Sequence, residues 1–126
     1  MKKTIDLYWD LGSTNSYFAI KMIKPIAARH GTKINWQPFN VGYFFQKNDY
    51  VLMKESKAKL RNRRDDLMRW AKKYDLPFKI PLAFPIKTSR ALRGAIAMRD
   101  WGQEEQFIDA IFDAYWENGN GDIGGY

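Results

Sequence analysis

Large apolar and polar side chains alternate at the start of the chain, and the pattern then changes to a helical one. From Ile5 to Trp9 an apolar residue occupies every second position, which is typical of a half-buried strand over Thr4–Trp9. A polar turn follows, after which residues 17–30 carry apolar side chains at helical spacing. The pattern predicts a strand that leads through a tight turn into a helix over about Ser16–His30.

A second strand is predicted over Lys33–Gln37, where apolar side chains alternate again before Pro38 ends the segment. Two strands joined by a helix within about thirty residues form a βαβ unit. Its strands are therefore expected to be parallel, with a right-handed crossover. Pro25 lies inside the predicted helix, where we expect it to remove a hydrogen bond and to kink the helix.

The rest of the chain predicts an aromatic loop followed by three helices. The loop covers Asn40–Asp49, and a helix rich in Lys and Arg covers about Leu52–Tyr74. A proline-punctuated extended stretch then leads to helices over Ser89–Trp101 and Glu104–Trp116. Of the five tryptophans, Trp9, Trp36 and Trp70 are expected in the core.

Composition limits the class of protein. The 126 residues, 45% of them hydrophobic, are enough for one globular domain with a modest core. The chain has no apolar run long enough to span a membrane and no hydrophobic signal segment at its start, so we expect a cytoplasmic protein. It has no cysteine and one histidine, which excludes a disulfide framework, a cysteine nucleophile and a multi-histidine metal site.

Charge is distributed unevenly along the chain. Residues 47–93 carry a net charge of +9 and the remainder −2, which together give the overall +7. A basic middle segment of this kind could bind nucleic acid or attract small anionic substrates. The acidic pair Asp65 and Asp66 interrupts the Arg-rich helix, which favours a solvated helix face over a phosphate-binding one.

The turn between the first strand and the first helix is the clearest candidate for chemistry. Gly12 permits a tight bend, and Ser13 follows it at the predicted helix start. A strand that leads so closely into a helix directs free backbone N–H groups and the positive end of the helix dipole towards whatever lies over Ser13. Ser13 is therefore either a helix cap or part of a site for an anion such as a thiolate, and Asp10 is expected to accept hydrogen bonds in the turn.

Residues 10–17, Asp-Leu-Gly-Ser-Thr-Asn-Ser-Tyr, resemble the signature Asp-Phe-x-Ser-Pro-Tyr-Ser-Tyr. This signature belongs to 2-hydroxychromene-2-carboxylate isomerases and kappa-class glutathione transferases, in the DsbA-like branch of the thioredoxin fold. The order and spacing of further similar segments extend the resemblance over nearly the whole chain. These segments are residues 34–39, 41–45, 64–74, 76–78, 84–88 and 90–95.

The resemblance implies an α/β fold of the thioredoxin-like, DsbA type. It implies a βαβ segment over residues 1–45, an α-helical insertion over residues 46–118 and a flexible tail over residues 119–126, all within a single domain. Members of the family have further strands and a cis-proline segment after this point. The sequence is thus similar to a member that is truncated at its carboxy terminus, with the later strands of the sheet missing.

The resemblance also implies a cofactor. Glutathione would bring the thiol that the chain lacks, and the serine at the position of Ser13 would hydrogen-bond the sulfur and favour its thiolate. In the isomerases this thiolate would add reversibly to an unsaturated keto acid, which makes it a borrowed nucleophile. Asn48 and Lys59 fall near the family residues that hold glutathione and the acidic substrate.

The implied substrate is a small acidic aromatic molecule, with Asn15, Tyr43 and Arg93 as the candidate substrate-binding residues. The chain departs from the family at Thr14, in place of a proline, and at Asn15, in place of an aromatic residue, which changes the floor of the site. Full-length members of the family imply a homodimer. Neither a membrane nor a nucleic acid is an implied partner.

Three alternatives remain beside the glutathione-dependent isomerase. The same motifs fit a kappa-type glutathione transferase, and a truncated chain could be a module without catalytic activity. A basic nucleic-acid-binding protein is the less favoured third class, which would show salt-dependent affinity and no glutathione contact. A thiol–disulfide oxidoreductase is disfavoured because Ser13 and Ser16 occupy both cysteine positions.

Overall fold

The computed structural model describes residues 3–120 and residue 123. Its only sheet within those residues consists of two parallel strands, β1 (Thr4–Trp9) and β2 (Lys33–Pro38), which are paired in register over six residues. Along β1 the odd-numbered side chains are the more buried ones and the even-numbered ones are exposed, as the alternation predicts. The βαβ start is therefore confirmed.

The helix α1 (Thr14–Arg29) joins the two strands and begins two residues earlier than predicted. Ser13 is its N-cap, because the Ser13 Oγ accepts a hydrogen bond from the Ser16 N–H at 3.2 Å. The helix continues through Pro25 without ending there. Side chains of α1 are buried on both sides of Pro25, among them Ile20 and Ala27, so tertiary packing supports the helix across the proline.

Residues 40–49, predicted as a loop, contain the short helix α2 (Val41–Lys47), so this prediction is wrong. The Asn40 Oδ1 caps α2 by accepting a hydrogen bond from the Tyr43 N–H at 2.9 Å. None of the α2 residues is buried, so the helix lacks the apolar stripe by which a sequence pattern reveals a helix.

The predicted basic helix over Leu52–Tyr74 is divided into two elements. A single 3₁₀ turn covers Leu52–Lys54, and the helix α3 covers Lys57–Lys73. The chain is extended at Glu55, and Ser56 then caps α3 by accepting from the Lys59 N–H at 3.2 Å. A new N-cap in the middle of a polar stretch therefore ends one helical segment and starts the next.

Two further helices, α4 (Ser89–Arg99) and α5 (Glu104–Trp116), complete the described fold, and α5 has the predicted bounds. The core lies where α5 packs against β1, α1, α4 and the extended segment before α4. Trp9 and Phe112 meet edge to face there, with ring centroids 5.7 Å apart. The prediction that Trp70 lies in the core is wrong, because its side chain is 39% exposed and stacks on Tyr74.

Within the described residues, none of the helices combines the length and the apolar character that crossing a lipid bilayer requires. The predicted boundary between residues 45 and 46 falls inside α2. Of the predicted tail, residues 121, 122 and 124–126 lie outside the described residues. The division of the chain into three segments stays a prediction.

Candidate functional site

The turn between β1 and α1 is built around the buried carboxylate of Asp10. This side chain is 2% exposed, and its two oxygens accept hydrogen bonds from the backbone N–H groups of Gly12, at 3.2 Å, and Val41, at 2.8 Å. The Asp10 carbonyl accepts from the Ser13 N–H at 3.1 Å, and the Asp10 N–H donates to the Ser16 Oγ at 3.1 Å. Asp10 is a turn acceptor, as expected, and it also attaches α2 to the turn.

Two other helices hold the same turn in place. The indole N–H of Trp116, at the end of α5, donates to the Leu11 carbonyl at 2.7 Å in a buried contact. On the side of α4, a Cβ added to Gly12 would lie 3.3 Å from the Cγ2 of Thr88. A side chain at position 12 would therefore have to displace Thr88, so glycine allows the turn and the start of α4 to approach closely.

Ser13 is half-buried at the end of this turn and combines two roles. Its Oγ accepts from the Ser16 N–H, which leaves the hydroxyl hydrogen able to donate to another group. The backbone N–H groups of Thr14 and Asn15, in the first turn of α1, have no acceptor among the described residues. A hydroxyl donor and free amides at the positive end of a helix are able to stabilise an anion.

A cleft of about 640 Å³ opens beside Gly12, between α2 and the chain that leads into α4. Its wall on one side includes Tyr43, Val51 and Met53, three exposed side chains with large apolar surfaces. The opposite wall is formed by residues 84–89, in which the Phe84–Pro85 peptide bond is cis. Gly12 lines this cleft, and Ser13 follows it directly. The cleft is thus mainly apolar, with the polar turn at one end.

A smaller depression of about 440 Å³ continues from the cleft, since Tyr50 and Val51 line both. Lys54 and Lys59 contribute ammonium groups to it, and Lys59 is paired with Glu55 at 2.5 Å. Hydrogen bonds from Arg63 and Lys59 lower the pKa of the Glu55 carboxyl to about 2. The same pairing raises the pKa of Lys59, so both groups are charged at neutral pH.

Asn48 lies at the end of α2, one residue before this depression. Its side-chain Nδ2 donates to the Phe44 carbonyl at 2.8 Å, which satisfies a carbonyl in the last turn of α2. The next residue, Asp49, lines the depression. Of the predicted site residues, Tyr43 lies in the cleft, Lys59 lines the depression, and Ser13 and Asn48 flank them.

Two predicted substrate-binding residues are not brought to these cavities. Asn15 is exposed on α1, and its side chain has no partner among the described residues. Arg93 is exposed on α4 and lines neither the cleft nor the depression.

Sequence reasoning missed two features of the site. The connection from Asp10 to α2 spans thirty-one residues, and the only signal for it is an acidic residue at the end of an apolar strand. The second feature is Thr88, which is buried, lines the cleft and contacts the turn at Gly12. Its proximity to the turn depends on tertiary packing that a local pattern does not encode.

Comparisons with known proteins agree on one family. The sequence matches the DsbA-like thioredoxin domain over residues 4–122. A 2-hydroxychromene-2-carboxylate isomerase from Sphingobium xenophagum is 30% identical over 123 residues, which cover 92% of this chain and 60% of the relative. The solved structure of a 2-hydroxychromene-2-carboxylate isomerase superposes with a TM-score of 0.78 at 25% identity, covering 94% of this chain and 59% of that one. The chain thus spans about three fifths of the length of both relatives.

Proposed function

The chain belongs to the DsbA-like thioredoxin domain family, and on that premise we propose that it acts as a glutathione-dependent isomerase of a small aromatic acid. The two relatives described above carry the name 2-hydroxychromene-2-carboxylate isomerase, which supports this choice of reaction. The absence of cysteine from the sequence supports the need for an external thiol.

The chemistry of the donor groups fits glutathione, an anionic tripeptide with one thiol. The Ser13 hydroxyl and the free amides of Thr14 and Asn15 suit a sulfur anion, and Lys59 suits a carboxylate at the far end of the cavity. Asn48 lies next to the depression that Lys59 lines. Its side-chain amide could form a hydrogen bond with the peptide backbone of such a ligand. When bound, glutathione would supply the thiol nucleophile for covalent catalysis.

One observation carries the proposal: the Ser13 hydroxyl has its acceptor role filled by the Ser16 N–H and keeps its hydrogen to donate. Capping α1 does not require access to a cavity, so a serine with no other role could be fully buried. Ser13 is instead half-buried and adjoins the residue that lines the cleft. Donation from this hydroxyl, together with the helix dipole, lowers the pKa of a thiol and so increases the thiolate population at neutral pH.

The apolar walls of the cleft suit the aromatic part of the substrate. Tyr43 and Met53 from one wall and Phe84 from the other would enclose a flat ring and exclude water from its faces. The substrate would therefore lie against the turn at Gly12, with Ser13 on the side of the sulfur.

Ser13→Ala tests the proposal, and Ala19→Gly is its control, because Ala19 is exposed on the same helix α1 and lines neither the cleft nor the depression. Ser13→Ala and Ala19→Gly should each lower the free energy of unfolding by about 1 kcal/mol, the first because it removes an N-cap and the second because glycine is unfavourable inside a helix. Only Ser13→Ala should reduce glutathione-dependent conversion of 2-hydroxychromene-2-carboxylate, by roughly a hundredfold in kcat/KM if about 3 kcal/mol of sulfur stabilisation is lost.

The assay follows the absorbance of 2-hydroxychromene-2-carboxylate with and without glutathione, and isothermal titration calorimetry measures glutathione binding. Equal activity losses in the two variants, or wild-type activity that does not need glutathione, would contradict the isomerase. A product that retains glutathione in covalent linkage would instead assign the chain to the kappa-type transferases, which would use the same serine.

A further inference from the structure

The helix α3 is long, strongly basic and mostly exposed. It has eight basic and two acidic residues, and only Leu67 and Ala71 are buried. With a rise of about 1.5 Å per residue, it extends for about 25 Å. Of its basic residues, only Lys59 and Arg63 take part in the depression or in the pairing with Glu55. Most of the charge on α3 therefore has no role in the site described above.

Four of the remaining basic residues form one stripe along α3, called here the basic stripe. Helix positions three or four residues apart lie on the same face, and these residues, with Met68 between the third and the fourth, keep that spacing from the first turn to the last. All four are exposed and form no ion pair within the described part of the chain: Lys57, Arg61, Arg64 and Lys72. The basic stripe is about 22 Å long.

The two acidic residues of α3 interrupt the basic run in the sequence but do not neutralise the stripe. Asp66 lies outside it and is paired with Arg69 at 3.3 Å. Asp65 lies at its edge, one turn after Arg61, and forms no ion pair with the described residues. Like charges at this helical spacing repel each other, so a ligand with several negative charges would stabilise the stripe.

An aromatic pair is exposed at the end of the same helix. The rings of Trp70 and Tyr74 are stacked, with planes 8° and centroids 5.7 Å apart, and the side chains are 39% and 43% exposed. The Lys73 ammonium lies 5.2 Å from the centroid of the Trp70 ring. Around the exposed side of the helix, Lys73 lies between Lys72 of the basic stripe and these rings. Flat rings beside cations are the surfaces on which unpaired nucleobases stack.

We propose that α3 binds single-stranded nucleic acid, whose phosphates contact the basic stripe and one of whose bases stacks on the aromatic pair. Such contacts depend on the backbone and on base stacking, so DNA and RNA are ligands of the same chemistry. An anionic membrane is a poorer match, because a membrane-bound helix directs its apolar side outwards, whereas Leu67 and Ala71 are buried in the protein. This inference goes beyond the proposed function and does not depend on it.

Two double variants test the basic stripe. Arg61→Gln with Arg64→Gln removes two charges from it. Arg29→Gln with Lys33→Gln is the control, because these residues lie elsewhere, are exposed and form no ion pair among the described residues. Both variants have the same net charge, two below the +7 of the wild type. Fluorescence anisotropy with labelled oligothymidylate and oligouridylate of about twelve nucleotides measures the affinities.

Affinity for both oligonucleotides should fall steeply as the salt concentration rises. Each phosphate contact on a single strand contributes about 0.7 to the slope of log affinity against log salt concentration, so four contacts predict a slope of about −3. In the stripe variant the slope should be smaller in magnitude by about 1.4, and binding at about 0.1 M salt should be roughly 25-fold weaker. The control variant should retain nearly the wild-type slope and affinity.

Trp70→Ala tests the aromatic pair, and Trp101→Ala is its control, because Trp101 is 79% exposed in the turn between α4 and α5. Loss of base stacking should weaken single-strand binding by at least about fivefold in Trp70→Ala only. Trp70→Phe keeps an aromatic ring and should retain most of the affinity. Binding to a duplex of the same length should not respond to Trp70→Ala, because its bases are already stacked on one another. Circular dichroism checks that each variant is folded.

Each part of the proposal can fail separately. Equal losses in the two double variants would show attraction by net charge alone and would overturn the basic stripe. Tighter binding to the duplex than to single strands, or wild-type affinity in a folded Trp70→Ala variant, would overturn the assignment to single strands. Binding to phosphatidylserine vesicles without binding to either oligonucleotide would reject a nucleic-acid site in favour of a membrane surface. None of these results affects glutathione binding that depends on Ser13.

Discussion

The Asp10 carboxylate is buried, and it accepts hydrogen bonds from two backbone N–H groups in different parts of the chain. One belongs to Gly12 in the turn and the other to Val41 at the start of α2. A buried carboxylate is stable only when its oxygens are hydrogen-bonded, and here both are. This single side chain therefore fixes the distance between the turn that presents Ser13 and the helix that carries Tyr43.

Replacing Asp10 should release α2 from the turn. Asp10→Ala leaves two N–H groups without acceptors, which should lower the free energy of unfolding by about 2–3 kcal/mol. Asp10→Asn keeps the shape and one acceptor oxygen, so its effect should be smaller. Urea denaturation measures both values, and hydrogen exchange at the Val41 amide should be faster in the alanine variant. Unchanged exchange at Val41 would show that α2 is held by other contacts.

At the scale of whole elements, ion pairs connect α1 to α5 along one side of the core. Lys21 lies 2.6 Å from the Asp113 carboxylate and 3.3 Å from that of Glu117, and Lys24 pairs with Asp109. The Tyr17 hydroxyl donates to Glu117 at 2.7 Å. Burial, together with this bond to Glu117, raises the pKa of the Tyr17 phenol, so it stays protonated. These pairs position α5, whose last residue in turn holds the Leu11 carbonyl.

The connection between the 3₁₀ turn and α3 should be sensitive to acid. The pKa of Glu55 is about 2 in the folded protein and 4.5 in its reference state, because Arg63 and Lys59 stabilise the charged form. A depressed carboxyl pKa contributes stability that is fully present above the unfolded value and is lost as pH falls through the folded value.

The midpoint of urea unfolding should therefore fall more steeply between pH 4.5 and pH 2 in the wild type than in Glu55→Gln, which has no charge to lose. Tryptophan fluorescence at a series of pH values measures the midpoint. Parallel curves for the two proteins would mean that the ion pairs of Glu55 do not contribute to folding.

Some elements could be predicted from the sequence and others could not, for identifiable reasons. The strands and α5 have strong apolar periodicity, because one side of each faces the core. The helix α2 has no buried residue and therefore no apolar stripe. Its run of aromatic side chains has no helical period, so the sequence favours a loop there. The break at Glu55 depends on a local cap at Ser56 and on ion pairs with residues later in the chain. Elements without a buried stripe are thus the ones that the pattern missed.

On the scale of the whole molecule, the candidate site is an assembly of distant segments. The turn after β1 receives a hydrogen bond from α2, an indole donor from α5 and the methyl group of Thr88 before α4. Ser13 could be singled out from the sequence because strand, turn and helix start are contiguous there. Thr88 could not, since its role depends on a contact across seventy-six residues with Gly12. A turn held from three directions is suited to keep the Ser13 hydroxyl in one orientation.

The role of Ser13 is tested by the pKa of the glutathione thiol when it is bound to this protein, which the ultraviolet absorbance of the thiolate measures as a function of pH. With the wild type and with Ala19→Gly, the bound thiol should titrate well below the value of about 8.5 that is usual for a free cysteine thiol. With Ser13→Ala, the pKa should return towards that free value. A bound thiol that titrates at the free value in the wild type, or identically in the wild type and Ser13→Ala, would contradict the role assigned to Ser13.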